Sequence, residues 1–294
     1  MNMQVERSFP GKLLLFGEYA IIQGSQALAI PLHRFYASWK MKGEVTCHLD
    51  WKDLIQYVKD LSNEHKWDVN FDLWEEEVGQ GLCLESTIKP GYGAGSSGSL
   101  VAAIYDRYFE NQQEELHLLR RELGLLESYF HGASSGLDPL VSYLDQGILI
   151  KGKESFERVD VDLAATRLSV GLLDTGIARE TSPLVKIYLK KYEEDATFVN
   201  VVDQISELNA SCIQLLLDQQ EEAFFAQVQK LSRLQFDRLK EMIPQEIEEI
   251  WGGLLESNEH VMKLCGAGGG GYFLLFSKNK AALEGLSHHD IIFL

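Results

Sequence analysis

The sequence has no continuous apolar run of the roughly 18 residues that a membrane-spanning helix needs, so it predicts no membrane span. Positive charge is also scarce, because 27 Lys and Arg residues stand against 44 Asp and Glu residues and leave a formal net charge of −17. An acidic surface repels nucleic acid and anionic membranes, and we expect neither as a partner. The N-terminal MNMQVERSFPGK lacks the apolar core of a signal peptide, which favours a cytoplasmic location.

Cysteines are few and lie far apart in the sequence. Cys47, Cys83, Cys212 and Cys265 form no CxxC pair, and no HExxH is present. A structural zinc site or a disulfide framework is therefore not expected in a chain of 294 residues. We interpret the four cysteines as reduced thiols in the core.

The pattern of apolar residues predicts a mixed α+β fold with two domains. We expect the seam between the domains near residues 155–166, which gives an N-terminal domain over 1–160 and a C-terminal domain over 161–294. Helical spacing predicts helices over 51–65, 98–109, 114–130, 137–145, 183–193, 198–218, 220–242 and 245–256. Short apolar runs predict strands at 13–16, 82–88, 147–152, 167–176, 261–265 and 272–276, with a last strand in HDIIFL.

Residues 90–99 read PGYGAGSSGS, which holds four glycines and three serines directly before a helix-like segment. A Walker A loop needs a Lys that is missing here, and the glycine spacing differs from the GxGxxG dinucleotide fingerprint. Glycine still lets backbone N–H groups turn toward a phosphate, and the next helix adds partial positive charge at its N-terminus. By itself the loop fits a phosphate cradle and a loose turn before a helix equally well.

Three separated stretches resemble the motifs of the GHMP small-molecule kinases, the superfamily of galactokinase, homoserine kinase, mevalonate kinase and phosphomevalonate kinase. GKLLLFGEYA (11–20), PGYGAGSSGS (90–99) and KLCGAGGGGYF (263–273) are similar to its first, second and third motifs, in that order. Ala94 replaces a Leu that is usual in the second motif. The resemblance implies a domain like part of a ribosomal protein, then a ferredoxin-like domain, with ATP between them.

The resemblance also assigns roles around the phosphates. ESYFHGASSGLD (127–138) is similar to a mevalonate kinase module in which a metal-binding Glu stands eleven residues before a catalytic Asp. Glu127 and Ser97 are then the expected Mg²⁺ ligands, and Asp138 is the expected catalytic group with Lys12 beside it. Mg²⁺ takes few protein ligands because phosphate and water oxygens fill its other positions. The expected ATP-binding residues are Ser86, Gly91, Gly93, Ala94, Gly95, Ser96 and Ser97.

The choice among family members rests on the first motif and on DTGIARET (174–181). GEYAIIQG lacks the GEHTDYN of galactokinases. Its Tyr19 resembles the Tyr that phosphomevalonate kinases usually have at this position of the first motif. DTGIARET and the 127–138 module resemble mevalonate kinases, including short bacterial ones. We therefore expect a kinase that uses ATP and Mg²⁺ on a small hydroxy acid, with mevalonate first and phosphomevalonate second, in a chain that could pair as a homodimer. The expected substrate-side residues are Glu18, Tyr19, Arg179, Thr181 and Gly268.

Two other classes stay open at this stage. The chain could be an inactive relative that binds a metabolite, although Lys12, Glu127 and Asp138 are all retained. It could also be an unrelated two-domain protein in which Lys12 ends a strand, Asp138 caps a helix and Glu127 lies on a helix surface. That reading treats three ordered motifs as coincidence.

Overall fold

The computed structural model describes residues 7–41, 49–152, 155–163, 166–178, 181–286 and 289–294. Helices and strands are mixed along this part of the chain, which confirms the predicted α+β class. The strands are β1 (Phe9–Phe16), β2 (Ala27–Met41), β3 (Leu82–Ser86), β4 (Gly147–Ile150), β5 (Phe156–Val159), β6 (Ser169–Asp174), β7 (His260–Leu264), β8 (Tyr272–Ser277) and β9 (Ile291–Phe293). The helices are α1 (Trp51–His65), α2 (Phe71–Gly79), α3 (Ser96–Tyr108), α4 (Leu116–His131), α5 (Leu137–Leu144), α6 (Thr181–Glu194), α7 (Ala196–Leu217), α8 (Glu221–Arg238), α9 (Gln245–Leu254) and α10 (Lys280–Glu284).

The chain forms two compact units, each assembled from several segments. Unit 1 comprises Met1–Lys12, Pro31–Lys89 and Ala94–Gln146, and unit 2 comprises Leu13–Ile30, Pro90–Gly93 and Gly147–Leu294. The boundaries fall inside β1, inside β2, directly before and inside the PGYGAGSSGS loop, and between α5 and β4. The contiguous division at residue 160 stays a prediction about domains. No helix of the described chain is long and apolar enough to cross a bilayer.

Unit 1 is organised around aromatic side chains and three packed helices, α3, α4 and α5. Trp74 is fully buried and stacks on Tyr108 with 4.7 Å between ring centroids, while Trp39 meets Tyr108 edge-on at 5.5 Å. Trp74 lies on α2, a helix that the sequence patterns did not predict. Its start was readable, because the Asn70 side chain caps it by accepting the Leu73 N–H at 3.1 Å.

Unit 2 contains a sheet with the strand order β7-β8-β6-β9, in which all three pairings are antiparallel. The predicted hairpin around GAGGGG is confirmed, since β7 pairs with β8 and Leu264 stands opposite Phe273. Both faces of β7 and β8 carry apolar side chains, and every residue of the two strands except His260 is buried. A second sheet runs β1-β2-β4-β5, and β3 also pairs with β2.

One expectation about the cysteines is wrong. Cys83 is disulfide-bonded, whereas the sequence interpretation had four reduced thiols. Its spacing gave no signal because disulfide partners are set by the fold and not by local sequence. Cys212 and Cys265 are free and buried, and burial raises the pKa of the Cys212 thiol to about 12. Cys47 lies outside the described residues.

Gly98 shows how closely α3 packs on α5. A Cβ at this position would lie 2.7 Å from the backbone carbonyl carbon of Asp138 and 2.8 Å from the nitrogen of Pro139. Backbone atoms cannot turn aside, so we expect Gly98→Ala to lower the free energy of unfolding by about 1–3 kcal/mol through overpacking. Urea denaturation of both proteins measures this difference.

The matched control is Gly253→Ala in α9. A Cβ there meets nothing within 4 Å, so the better helix propensity of Ala should leave the protein as stable or up to about 1 kcal/mol more stable. Equal stability of the two variants would contradict the close packing of α3 on α5.

Candidate active site

Lys12 is held in place by direct contact between two stretches of backbone. Its N–H donates to the carbonyl oxygen of Ala94 at 2.8 Å. This approach needs glycine on both sides, because a Cβ at Gly11 would lie 2.7 Å from the Ala94 oxygen and one at Gly95 would lie 3.1 Å from the Lys12 nitrogen. The contact fixes Lys12 next to the residues that lead into α3.

The Lys12 side chain forms an ion pair with Asp138. The distance from Nζ to Oδ1 is 2.9 Å, and the two side chains are 10% and 31% exposed. Asp138 stands in the first turn of α5, where the helix dipole favours a negative charge. Gly136 precedes α5 and has a positive φ of 72°. It packs directly against the backbone of Arg120, because a Cβ at Gly136 would lie 2.1 Å from the Arg120 carbonyl oxygen. The structure thus brings together the two residues that the sequence predicted as catalytic.

Glu127 of α4 is the centre of a second polar cluster. The residue is 4% exposed, and its carboxylate accepts hydrogen bonds from the hydroxyl of Ser97 at 2.8 Å and from the hydroxyl of Ser134. His131 Nε2 lies 2.9 Å from the Ser97 oxygen. The predicted pair of Ser97 and Glu127 is therefore in contact. Sequence analysis gave Ser134 and His131 no role, although both lie inside the HGASSG stretch that it aligned.

The charge state of Glu127 depends on its surroundings. Burial is the main cause that raises the pKa of its carboxyl group above the ordinary value, and the negative charge of Asp138 adds to it. Hydrogen bonds from Ser134 and Ser97, together with His131, act in the opposite direction. A buried carboxylate with a raised pKa gains from a nearby cation, because the cation stabilises the ionised form.

The PGYGAGSSGS loop leaves the start of α3 open to an anion. Gly91, Gly93 and Gly95 have φ values of 77°, 71° and 77°, a region that favours glycine. Gly95 precedes the helix and makes no side-chain capping hydrogen bond. The first N–H groups of α3, from Ser96 onward, therefore keep their capacity to bind phosphate oxygens.

Ser86 occupies a different kind of position. It ends β3 opposite Ala37, and its hydroxyl oxygen accepts the N–H of Ile88 at 3.2 Å. This is a local turn contact, and a role toward a nucleotide stays a prediction.

The oxygen atoms around Glu127 fit Mg²⁺. A carboxylate and a hydroxyl 2.8 Å apart are hard donors of the kind that Mg²⁺ prefers. Among the described residues no group of three or more His, Cys, Asp or Glu side chains forms a complete protein cage. Such a sparse site suits an ion that fills its remaining positions with phosphate and water oxygens.

The predicted substrate-side residues belong to unit 2, and two of them point inward. Glu18 is 1% exposed, with its carboxylate in a buried ion pair with Lys263. Gly268 packs on a neighbouring backbone, since a Cβ there would lie 2.1 Å from the carbonyl oxygen of Met242. Both residues thus serve the interior of unit 2.

The remaining substrate-side residues divide three ways. Tyr19 is 6% exposed, and its hydroxyl donates to the carbonyl oxygen of Ala267. Thr181 is exposed at the start of α6. Arg179 lies outside the described residues. Thr181 is the described residue of this group that faces solvent.

The third glycine loop, residues 266–271, contacts the first half of the second one. A Cβ at Gly271 would lie 2.7 Å from the carbonyl oxygen of Tyr92, and the rings of Tyr92 and Tyr272 are 5.1 Å apart. Gly271 therefore has to be glycine at this contact. The third motif therefore contacts the first part of the second motif inside unit 2.

Known proteins that are similar to this chain include mevalonate kinases. No family model matches the chain. A mevalonate kinase of Thermococcus sibiricus is 25% identical over 314 residues, which covers 95% of this chain and 90% of that protein. This similarity over nearly the whole chain supports a GHMP small-molecule kinase. This relative is archaeal, whereas the sequence reading stressed bacterial mevalonate kinases.

Solved GHMP kinases share the fold. An L. major mevalonate kinase in complex with R-mevalonate superposes with a TM-score of 0.68 at 18% identity, covering 97% of this chain and 91% of that one. A Streptococcus pneumoniae phosphomevalonate kinase in complex with phosphomevalonate and AMPPNP gives a TM-score of 0.66 at 18% identity, covering 97% and 95%. At these identities the likeness concerns the GHMP kinase fold.

The raised pKa of Glu127 predicts a pH-dependent stability. A raised pKa favours the folded state at low pH, and this contribution is lost as pH rises from about 4.5 through the folded pKa. Glu127→Gln stays neutral, so its free energy of unfolding should increase relative to wild type over this window and then level off. Urea denaturation at steps from about pH 3 to 7 in EDTA measures the difference.

Glu115→Gln at the start of α4 is the control with the opposite sign. Two backbone N–H groups lower the pKa of this exposed carboxyl group, so wild type should gain on this variant as pH rises toward 4.5. A Glu127→Gln difference that does not vary with pH would contradict the assigned environment of Glu127.

Proposed function

We propose that this GHMP kinase transfers the terminal phosphoryl group of ATP to the hydroxyl of a small hydroxy acid, with mevalonate as the acceptor. The observation that carries the proposal is the 2.9 Å ion pair between Lys12 and Asp138. It lies in the same unit as the Ser97–Glu127 contact and the open N-terminus of α3. The named relative of Thermococcus sibiricus is a mevalonate kinase, which supports the choice of acceptor.

The residues suit phosphoryl transfer by positioning and charge. In this proposal Asp138 orients the acceptor hydroxyl and takes its proton, while a bond forms between that oxygen and the γ-phosphorus and the bond to ADP breaks. Lys12 holds the Asp138 carboxylate in place through their ion pair and offsets the charge on the transferred group. The N–H groups at the start of α3 bind the phosphate oxygens that stay behind.

Ser97 and Glu127 are the residues that would hold Mg²⁺. The ion, when bound, supplies neutralisation of the phosphate charge. Ser134 and His131 keep these ligands in position, since one contacts the Glu127 carboxylate and the other the Ser97 hydroxyl. Ser134 and His131 therefore support the two proposed ligands without binding the ion themselves.

Phosphomevalonate is the second candidate acceptor. Tyr19 in GEYA is the feature that favours it, and a phosphomevalonate kinase has the same fold. An inactive metabolite-binding relative is less favoured, because Lys12, Glu127 and Asp138 are not only retained but engaged in the expected contacts. A homodimer and a cytoplasmic location stay predictions.

The test is a panel of acceptors. Purified protein with ATP and Mg²⁺ is assayed for ADP release with mevalonate, phosphomevalonate, homoserine, galactose and shikimate, and the product is identified by ³¹P NMR. We expect turnover with mevalonate and a phosphomonoester product. Omission of Mg²⁺ should abolish it.

Asp138→Asn controls for contaminating kinases, because it keeps the side-chain shape and removes the charge. We expect a rate at least about 100-fold lower, at the scale of a lost general base, with an unchanged unfolding midpoint. Turnover with phosphomevalonate alone would transfer the proposal to the second acceptor. No turnover with any acceptor, or near-normal activity of Asp138→Asn, would overturn it.

A further inference from the structure

A buried ion pair lies beneath the third glycine loop. The side chains of Glu18 and Lys263 are both fully buried. The Lys263 ammonium donates to the Glu18 carboxylate, to the carbonyl oxygen of Leu15 at 2.8 Å and to the carbonyl oxygen of Leu264. All three ammonium hydrogens therefore have acceptors. Lys263 belongs to β7, directly before the loop, while Leu15 and Glu18 belong to the end of β1 and the turn after it. The pair joins these two segments.

Gln235 of α8 closes the arrangement into a ring. Its Nε2 donates to Glu18 Oε2 at 3.4 Å, and its Oε1 accepts the N–H of Leu264 at 3.1 Å. Gln235 is fully buried as well. A buried ion pair is weak evidence for stability, because desolvation offsets its attraction, and its best-attested use is to fix one arrangement of the chain. Here the fixed arrangement is the position of Leu264, two residues before the loop begins.

Tyr19 grips the same loop further on. Its hydroxyl donates to the carbonyl oxygen of Ala267, and its ring lies 4.9 Å from that of Tyr188. Its backbone has φ 60° and ψ −49°, which is unfavourable for a side chain of this size. Such strain persists only where the surroundings determine the conformation, and it concentrates at functional sites. The buried ion pair at Glu18 and the tilted ring of Tyr188 supply those surroundings.

The conformation of this loop depends on contacts with other segments of the chain. Residues 266–271 read GAGGGG, and each of the five glycines has a positive φ. Glycine loses the most conformational freedom on folding, so a glycine-rich loop keeps one shape only where other groups hold it. Gly271 must also stay against Tyr92 of the second motif.

We propose that Glu18, Lys263 and Tyr19 form a loop clamp, which positions residues 266–271 and does not contact the substrate. The clamp holds the first half of the loop, at Leu264 and at Ala267, while the Gly269 and Gly271 N–H groups donate to the carbonyl oxygens of Met242 and Ile177 and hold the second half. Its effect on turnover rests on the proposed function and requires that this loop border the bound acceptor. The three are positioning residues, and this differs from the substrate contacts expected of Glu18 and Tyr19.

The first test is Tyr19→Phe, which removes the hydroxyl and keeps the ring. Hydrogen–deuterium exchange of the peptide that covers residues 264–272 should accelerate about fivefold, the effect of losing one hydrogen bond of about 1 kcal/mol. The KM for the acceptor should rise by a similar factor, with the KM for ATP and kcat within about twofold. Tyr188→Phe is the control, because its hydroxyl makes no hydrogen bond to the loop among the described residues. Unchanged exchange in Tyr19→Phe would overturn the clamp.

The second test separates position from stability at the ion pair. Lys263→Met alone leaves Glu18 unpaired and should unfold readily. The double variant Glu18→Gln, Lys263→Met removes both charges at similar volume, and we expect it to regain most of the unfolding midpoint while the loop peptide still exchanges faster than in wild type. Wild-type exchange in this double variant would mean that the pair has a structural role only.

The exchange experiment needs no substrate, so it is independent of the acceptor. If the wild-type protein turns over none of the acceptors, the proposed function fails while the exchange of the loop peptide still decides the clamp. If turnover occurs and Tyr19→Phe changes neither exchange nor the acceptor KM, the clamp fails and the proposed function stands.

Discussion

The candidate site depends on direct contact between stretches of backbone, which glycine alone permits. The hydrogen bond from the Lys12 N–H to the Ala94 carbonyl brings β1 against the residues before α3. Gly98 does the same for α3 and α5, with the backbone of Asp138 under its α-carbon. Contacts between main-chain atoms therefore fix the backbone positions from which Lys12, Ser97 and Asp138 extend their side chains. A methyl group at Gly11 or Gly98 would push apart the groups that carry the proposed chemistry.

The overall charge makes this packing more important. With a net charge of −17, the protein as a whole repels a nucleotide. The attraction has to be local, and the structure offers Lys12 and the open N-terminus of α3 for it. Glu127 adds a further negative charge, which its burial disfavours until a cation approaches. Binding of the phosphates and binding of the ion should therefore support each other.

Local patterns carried much of the fold. Periodicity predicted α1 over the residues where it occurs, and the apolar runs around GAGGGG predicted the β7–β8 hairpin. The family resemblance led us to expect the Lys12–Asp138 and Ser97–Glu127 contacts, because all four residues lie in motifs that the family shares. The helix and the hairpin are properties that neighbouring residues determine, whereas these two contacts join separate motifs.

What the sequence missed depends on residues that are distant along the chain. The first motif predicted Glu18 on the substrate side. Its buried ion pair with Lys263 was not predicted, because Lys263 lies 245 positions later in the sequence. Gly268 was also predicted on the substrate side, and its close contact with the backbone of Met242 was not predicted. The disulfide at Cys83 had no local signal. In each case the tertiary partner, and not the motif, decides what the residue does.

The central claim is that Lys12 and Asp138 act as one unit in phosphoryl transfer. A double-mutant cycle with Lys12→Met, Asp138→Asn and the double variant, followed by single-turnover transfer from ATP to mevalonate, measures this most directly. Residues that act together lose their effect together, so the double variant should be about as slow as the slower single variant. Losses that multiply in the double variant would show that the two residues act independently and would contradict the account.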